Sequence, residues 1–295
     1  MHTISIPIPT EPFDFRATVT DHGWYLLAPW RWRPDDATLE RVERLPSGRV
    51  VLLHIWQDGE TLQLGCAESL DAAEWDYAQT SIRRSLRIDQ DFAPFYQMAQ
   101  NAADQALWQV VKHGRGRLMR TPTLFEDVIK MICTTNITWS QTEQMSARIC
   151  DNLGSAYPAD PMRKAFPTPH QVAEASDETF TDKVRLGYRN ASVQHLGREI
   201  VAGNYNLEEL NQSPLRGEAL RKELQKLKGV GPYAAASVAG LLGDYTYLPV
   251  DSAFREHVRN KYFDGDKKVP DAKMMSIYGG WAEWKQLAYW FDRDR

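Results

Sequence analysis

Residues 224–257 read LQKLKGVGPYAAASVAGLLGDYTYLPVDSAFREH, and this stretch decides the fold. Leu220, Leu224 and Leu227 recur at helical spacing and give the incoming segment one apolar face. Gly229-Val230-Gly231 breaks that helix with residues that admit dihedrals closed to others and leave the turn bare. Pro232 suits the first turn of a second helix. That helix, AAASVAG, carries small side chains that let a partner approach closely. The pattern predicts a helix-hairpin-helix over residues 215–243. Its turn presents backbone N–H groups at a helix N-terminus, where the dipole is positive, so a phosphate can be held without reading sequence. Lys226 and Lys228 flank it and add attraction. Twenty residues past Gly231, Pro249-Val250-Asp251 places a lone carboxylate just before SAFREHVRNKY, where an aspartate reads as a helix N-cap.

Working outward, the 295 residues are long enough for one large core or two to three small ones. Cys66, Cys133 and Cys150 are far apart and form no CxxC. This argues against a disulfide framework, a zinc site or an iron–sulfur cluster, and suits a reducing cytoplasm. No apolar run approaches membrane-spanning length, and MHTISIPIPTEPFDF has no basic-then-apolar signal, so a cytoplasmic protein is expected. The net charge of −4 is unevenly spread. Residues 1–100 hold 9 Arg, no Lys and 15 acids, whereas residues 183–230 hold 9 Lys and Arg against 5 acids. A local basic face is what phosphate binding requires, although an ordinary solvated surface also produces one.

Residues 1–85 read as β-rich. FDFRATV, GWYLLAPW, GRVVLLHIWQ and ETLQLGCA are aromatic and β-branched runs between turn signals, and Asp58-Gly59 predicts a two-residue hairpin. LERVERL at 39–45 has the spacing of a short helix. From residue 86 to 295 the pattern is helical. FAPFYQMAQNAADQALWQVV has apolar residues at three- and four-residue spacing, and Thr123-Leu124-Phe125-Glu126 predicts a capping box opening a helix. A helix over about 140–153 and four prolines (158, 161, 167, 169) in an irregular connection follow, then short helices to the hairpin. The fold class expected is α+β, mostly α-helical, with an N-terminal antiparallel β domain.

The hairpin followed by Pro249-Val250-Asp251 resembles the helix-hairpin-helix, Gly/Pro…Asp signature of the DNA base-excision glycosylases. The likeness extends over nearly the whole chain, to the branch holding the 8-oxoguanine and AlkA-type 3-methyladenine enzymes. It implies a TATA-binding-protein-like N-terminal domain and double-stranded DNA with a damaged base as partner. Asp251 would be the catalytic carboxylate, stabilising positive charge on the sugar as an N-glycosidic bond breaks and orienting water. Lys228, Gly229, Val230 and Gly231 would grip a phosphate, with K⁺ or Na⁺ held by turn carbonyls and no metal bound by side chains. LFEDVIKMICTTNITW resembles the family's gap-entering helix and loop, with Asn136 at the orphaned base. Leu186-Gly187-Tyr188-Arg189 resembles its wedge, Tyr188 beside the unpaired base and Arg189 donating to it. Without the likeness, a core Tyr and a surface Arg would be the simpler account. YGGWAEWKQLAYWFDR resembles the lesion-pocket helix, Gln286 reading a purine edge and Trp290 stacking. These two are four apart and share a helix face, while Trp281, Trp284, Leu287 and Ala288 are expected to pack the core.

Departures from the family pattern carry information. Members that also nick the strand have a lysine two residues past the hairpin's last glycine. Tyr233 stands there, so no amine nucleophile is available and simple hydrolysis is expected. Ser237 replaces a pocket cysteine, and Ala253 a phosphate-contacting histidine. His22-Gly23-Trp24 falls near the pocket-floor segment. The expectation is a monomeric, monofunctional glycosylase that flips an alkylated or oxidised purine. The alternatives are a bifunctional 8-oxoguanine glycosylase/lyase and a non-catalytic damaged-DNA-binding protein.

Overall fold

In the computed structural model, residues 1–293 are described. They form two compact units, each assembled from two stretches of chain. One combines Met1–Asp89 with Arg117–Gln212, and the other combines Gln90–Gly116 with the chain from Ser213 onward.

The first unit is built on a five-stranded antiparallel sheet: β1 His2–Pro7, β2 Trp30–Arg33, β3 Thr38–Arg44, β4 Val50–Asp58 and β5 Thr61–Cys66, in spatial order β1-β5-β4-β3-β2. Val51, Leu53 and Ile55 alternate inward along β4, and Leu62 and Leu64 along β5. The helix Ala72–Ser85 adds Ala78 and Ile82 to the same core. The Asp58-Gly59 hairpin forms as expected: Asp58 pairs with Thr61 around a two-residue loop, and Gly59 takes φ +56°.

Four segments depart from the sequence reading. FDFRATV alternates like a strand, but Asp14 accepts a hydrogen bond from the Ala17 N–H at 2.9 Å and caps a helix, Phe15–Thr20. GWYLLAPW begins with a 3₁₀ turn, Gly23–Leu26, before β2. LERVERL, which has helical spacing, is β3. Both faces of this strand are covered, so the period-2 rule is masked. Leu39 joins the main core, Val42 packs with Tyr157 and Ala165 on the other face, and Glu40, Arg41 and Glu43 are buried in ion pairs. The proline-rich connection holds a small two-stranded sheet, Ala156–Tyr157 with Asp160–Lys164. In the second unit, FAPFYQMAQNAADQALWQVV is helical as its spacing suggests, in two helices, Ala93–Asn101 and Ala106–Val111.

The helix Leu124–Thr134 is buried almost throughout and anchors the first unit. Only half of the predicted capping box forms. Thr123 Oγ1 accepts from the Glu126 N–H at 3.2 Å, but the Glu126 carboxylate accepts from Arg41 at 3.1 and 2.7 Å and pairs with Lys130 at 2.7 Å. Burial works against the Glu126 carboxylate, yet these two cations hold its pKa below the ordinary value.

The second unit is helical. Phe92 and Phe95, from the stretch inserted early in the sequence, meet Trp284 at centroid distances of 6.1 and 5.6 Å, and Tyr245 stacks on Trp284 at 5.5 Å. Such pairs add about 0.5–1.5 kcal/mol each beyond the area they bury.

Candidate active site

The hairpin joins the helices Gly217–Gln225 and Pro232–Leu241. Leu220, Leu224, Leu227 and Val230 are buried, so the turn is pinned by apolar side chains while Lys228, Gly229 and Gly231 face solvent. The Val230 N–H donates to the Leu227 carbonyl at 3.0 Å. The two glycines differ. Gly229 has φ +90°, a left-handed conformation that a side chain strains. Gly231 has φ −83° and ψ −176°, which any residue adopts, and a Cβ there would meet nothing within 4 Å. No side chain caps the helix that Gly231 begins.

Asp251 is the N-cap of the helix Ser252–Tyr262, and its Oδ1 accepts from the Phe254 N–H at 2.7 Å. The cap fixes the carboxylate; its Oδ2 takes no hydrogen bond among the described residues. Arg255, one turn along, makes a bidentate pair with Asp271 at 2.9 and 2.8 Å, so its guanidinium is drawn away from direct pairing with Asp251. Burial pushes the Tyr289 phenol above its ordinary pKa, and the Asp251 charge acts in the same direction. Asp251 therefore lies within electrostatic reach of Tyr289. Tyr289 was missed from sequence because it lies inside the aromatic run LAYWF, with no signal separating it from core.

Ser237 is buried, and its hydroxyl donates to the Tyr233 carbonyl at 3.1 Å, a back-bond within its own helix. Gln286 is buried on the helix Lys285–Asp292, and its Oε1 has no hydrogen-bond partner. Gly240 makes room for it: a Cβ at 240 would sit 2.4 Å from Gln286 Oε1. The small residues of the second hairpin helix thus admit the Gln286 amide. Trp290 is half-buried, with the Arg293 guanidinium 5.1 Å from its ring centroid. Among the residues expected in the core, Trp284, Leu287 and Ala288 are buried and Trp281 is partly so.

The helix begun by Asp251 is locked to the one carrying Gln286 by buried Asp292. Its carboxylate accepts from Tyr262 and Tyr278 hydroxyls at 2.8 Å and meets His257 Nε2 at 2.8 Å and Lys261 Nζ at 3.2 Å. Burial first, then the Asp292 charge, raises the Tyr262 and Tyr278 pKa values. A cavity of about 720 Å³ in this unit is lined by Met98, Leu107, Tyr262, Tyr278, Trp281 and Ala288 among others. Asp251, Tyr233, Ser237, Gln286 and Trp290 are not in its wall.

Asn136, Tyr188 and Arg189 come together in the first unit. Asn136 has φ +51° at the turn after Leu124–Thr134. Its amide lies 3.5 Å from the Tyr188 hydroxyl, which also bonds the Thr135 hydroxyl at 3.3 Å. The Thr135 bond, with Asn136 and the Arg189 charge behind it, holds the Tyr188 phenol below its usual pKa. Tyr188 is 67% exposed, whereas Arg189 beneath it is buried, its carbon Cζ 4.4 Å from the ring centroid. Arg189 donates to the Thr135 and Leu186 carbonyls. Arg189, expected to donate to the unpaired base, lies here against the Tyr188 ring with its guanidinium bonded to backbone carbonyls. Thr135, the hub of this cluster, was not singled out from sequence. His22-Gly23-Trp24 is also in this unit: His22 stacks on Trp24 at 4.4 Å, and both are buried.

Among the described residues no helix is long and apolar enough to cross a membrane. The three cysteines are buried thiols, each pushed up to about 12, chiefly by burial.

With the geometry established, comparison with known proteins places the fold. It is similar to the folds of solved DNA glycosylases, and the likenesses divide between two kinds of them. The 3-methyladenine DNA glycosylase of Archaeoglobus fulgidus matches with a TM-score of 0.75 at 20% identity, over 99% of this chain and 97% of that one. The 8-oxoguanine glycosylase/lyase of Clostridium acetobutylicum in its apo form matches with a TM-score of 0.74 at 17% identity, over 99% and 96%. A curated N-glycosylase/DNA lyase of Saccharomyces cerevisiae is 22% identical over 239 residues. That alignment takes in 75% of this chain and spans 62% of the relative's length. No family model matches the chain.

Proposed function

We propose that the chain is a DNA glycosylase of base-excision repair, hydrolysing the N-glycosidic bond of a flipped-out damaged purine and leaving an abasic site. The observation that carries this is Asp251: a carboxylate fixed through one oxygen by its own helix cap, twenty residues past a hairpin whose Gly231 has neither a conformational nor an internal packing reason to be glycine. A bare, uncapped helix start suits a phosphate approaching the backbone. A held carboxylate suits positive charge developing on a sugar, and its second oxygen suits a water. The names of the similar proteins, which include 3-methyladenine and 8-oxoguanine glycosylases, support the reaction class.

Tyr233 supports hydrolysis without strand nicking, because no amine is present at that position to form a Schiff base. In this reading Tyr233 and Trp290 stack on the extruded base. The unpartnered Gln286 oxygen accepts a hydrogen bond that the protein itself does not supply, which suits a purine N–H. Lys228, Gly229, Val230 and Gly231 hold a phosphate, and Asn136 and Tyr188 occupy the gap, with Arg189 seating Tyr188. Backbone carbonyls of the hairpin turn suit a weakly hydrated cation such as K⁺ or Na⁺, which would hold the turn closed and supply no chemistry. One monomer per lesion suffices.

The test is a panel of duplexes with single lesions (8-oxoguanine, a 3-methyladenine surrogate, 7-methylguanine, hypoxanthine), each with and without alkali. Wild type is expected to excise at least one of them, leaving alkali-labile sites. Asp251→Asn should be slower by about 10²–10³-fold, the scale of one preorganised electrostatic group. Binding without excision across the panel favours a non-catalytic damage-binding protein. Cleavage without alkali favours the bifunctional enzyme.

A further inference from the structure

Trp139 is among the few large apolar side chains left exposed, at 37%, and the cluster already described does not use it. We propose that its indole is a second stacking platform, taking the unpaired base of the undamaged strand once the lesion is flipped out. This inference rests on the glycosylase reading.

Trp139 lies three residues past Asn136 and is the first residue of the helix Trp139–Leu153. A full capping box fixes that start: Thr138 Oγ1 accepts from the Gln141 N–H at 3.4 Å, and Gln141 Oε1 accepts from the Thr138 N–H at 3.2 Å. One edge of the indole rests on Gly23. A Cβ there would sit 2.4 Å from Trp139 Cζ2 and 2.8 Å from Cε2. Gly23 is not among the positive-φ glycines, so the demand for glycine comes from the indole it receives. Trp24 lies behind, 6.3 Å from Trp139 between centroids, and His22 stacks on Trp24. This backing is rigid. Trp24 Nε1 donates to Asp127 at 3.2 Å, His22 Nδ1 bonds the Met119 carbonyl at 2.9 Å, and Lys130 and Ser146 donate to the Leu27 and Ala28 carbonyls.

A lone exposed apolar residue is ordinary; what sets Trp139 apart is the seat built for it, a glycine that yields to the indole with buried rings behind. Its position on the same turn as Asn136 and Thr135, the residues that meet Tyr188, favours a nucleobase as occupant. An indole reads the π-face of a base and not its edge, so it accepts any of the four, purines with more overlap. The opposite-strand base is then gripped by stacking, and discrimination among opposite bases is weak.

The experiment uses the full chain and duplexes carrying a tetrahydrofuran abasic-site analogue opposite each of the four bases, beside an unmodified duplex. Trp139→Ala should bind the analogue duplexes about 5- to 100-fold more weakly, the range of one lost base–aromatic stack. Affinity for the unmodified duplex should not change, the melting temperature should fall modestly as the indole's packing on Gly23 is lost, and Trp139→Phe should recover most of the loss in analogue binding. With 2-aminopurine opposite the analogue, wild type should quench its fluorescence and Trp139→Ala should not. Equal analogue binding by wild type and Trp139→Ala, or equal weakening on both kinds of duplex, overturns the assignment while leaving the glycosylase reading intact. A wild type that fails to prefer the analogue duplex overturns that reading and this proposal together.

Discussion

In the hairpin unit, Gly229, Gly231, Tyr233 and Asp251 lie within one 23-residue stretch. In the sheet-bearing unit, Thr135 meets Tyr188 and Arg189 across 53 and 54 residues, and Trp24 meets Asp127 across 103. The first arrangement uses backbone shape and one capped carboxylate near the surface. The second uses buried charges and rings brought together by tertiary structure. The two should therefore respond differently to substitution. Polar changes inside the sheet-bearing unit should cost stability, whereas changes at the hairpin and Asp251 should cost activity or DNA affinity and leave the fold alone.

The largest effect expected is at Glu126. Its carboxylate is almost fully buried between Arg41 and Lys130, and Glu43 is the other anion pairing with Arg41. Glu126→Gln removes one charge and leaves two buried cations under-compensated, at a cost of about 3–5 kcal/mol. Urea unfolding followed by tryptophan fluorescence measures it. By contrast Asp251→Asn, which slows excision by orders of magnitude, should shift the urea midpoint little, since asparagine caps a helix about as well as aspartate. If Asp251→Asn destabilises as much as Glu126→Gln, the contrast between the units is wrong.

Acid should separate them next. Burial, with the Arg87 charge behind it, lowers the His22 pKa from 6.5 to about 4. Above pH 6.5 both folded and unfolded chains hold it neutral, and it contributes no pH dependence. As pH falls through 6.5 the unfolded chain takes up a proton that the folded one refuses. Stability is lost down to about pH 4, where the loss levels near 3 kcal/mol. Urea midpoints between pH 7.5 and 4.5 should fall more steeply for wild type than for His22→Gln. Parallel profiles would remove His22 as the acid-sensitive group.

The same contrast explains what the sequence disclosed. The hairpin, the Asp251 cap and the Asp58-Gly59 turn were legible because each is a local rule: glycine at a break, aspartate before a helix, a tight turn between alternating runs. Strand β3 was not, because its charged residues satisfy partners far away, Glu126 and Arg163, that no local period reveals. Asp14 overrode the alternation of FDFRATV through one side-chain bond. Glu126 looked like the second half of a capping box and was taken instead by Arg41, 85 residues upstream. Arg189 and Tyr188 were singled out by resemblance alone. Nothing within LGYR says that the guanidinium turns inward to Thr135.

The smallest and most discriminating comparison is between the two hairpin glycines. Gly229 at φ +90° is glycine for conformation, so Gly229→Ala should cost about 1–2 kcal/mol of stability, with DNA affinity falling only as the turn distorts. Gly231 has ordinary extended dihedrals and open space where a Cβ would stand, so Gly231→Ala should fold as stably as wild type. If a phosphate closes on that backbone, the added methyl holds it off. Duplex affinity should then drop about tenfold, the size of one hydrogen bond to a charged partner. Thermal melts and fluorescence anisotropy on an unmodified duplex give both numbers. A Gly231→Ala protein that keeps full duplex affinity would mean that the open face of the hairpin meets no phosphate, and would move the DNA grip away from this turn.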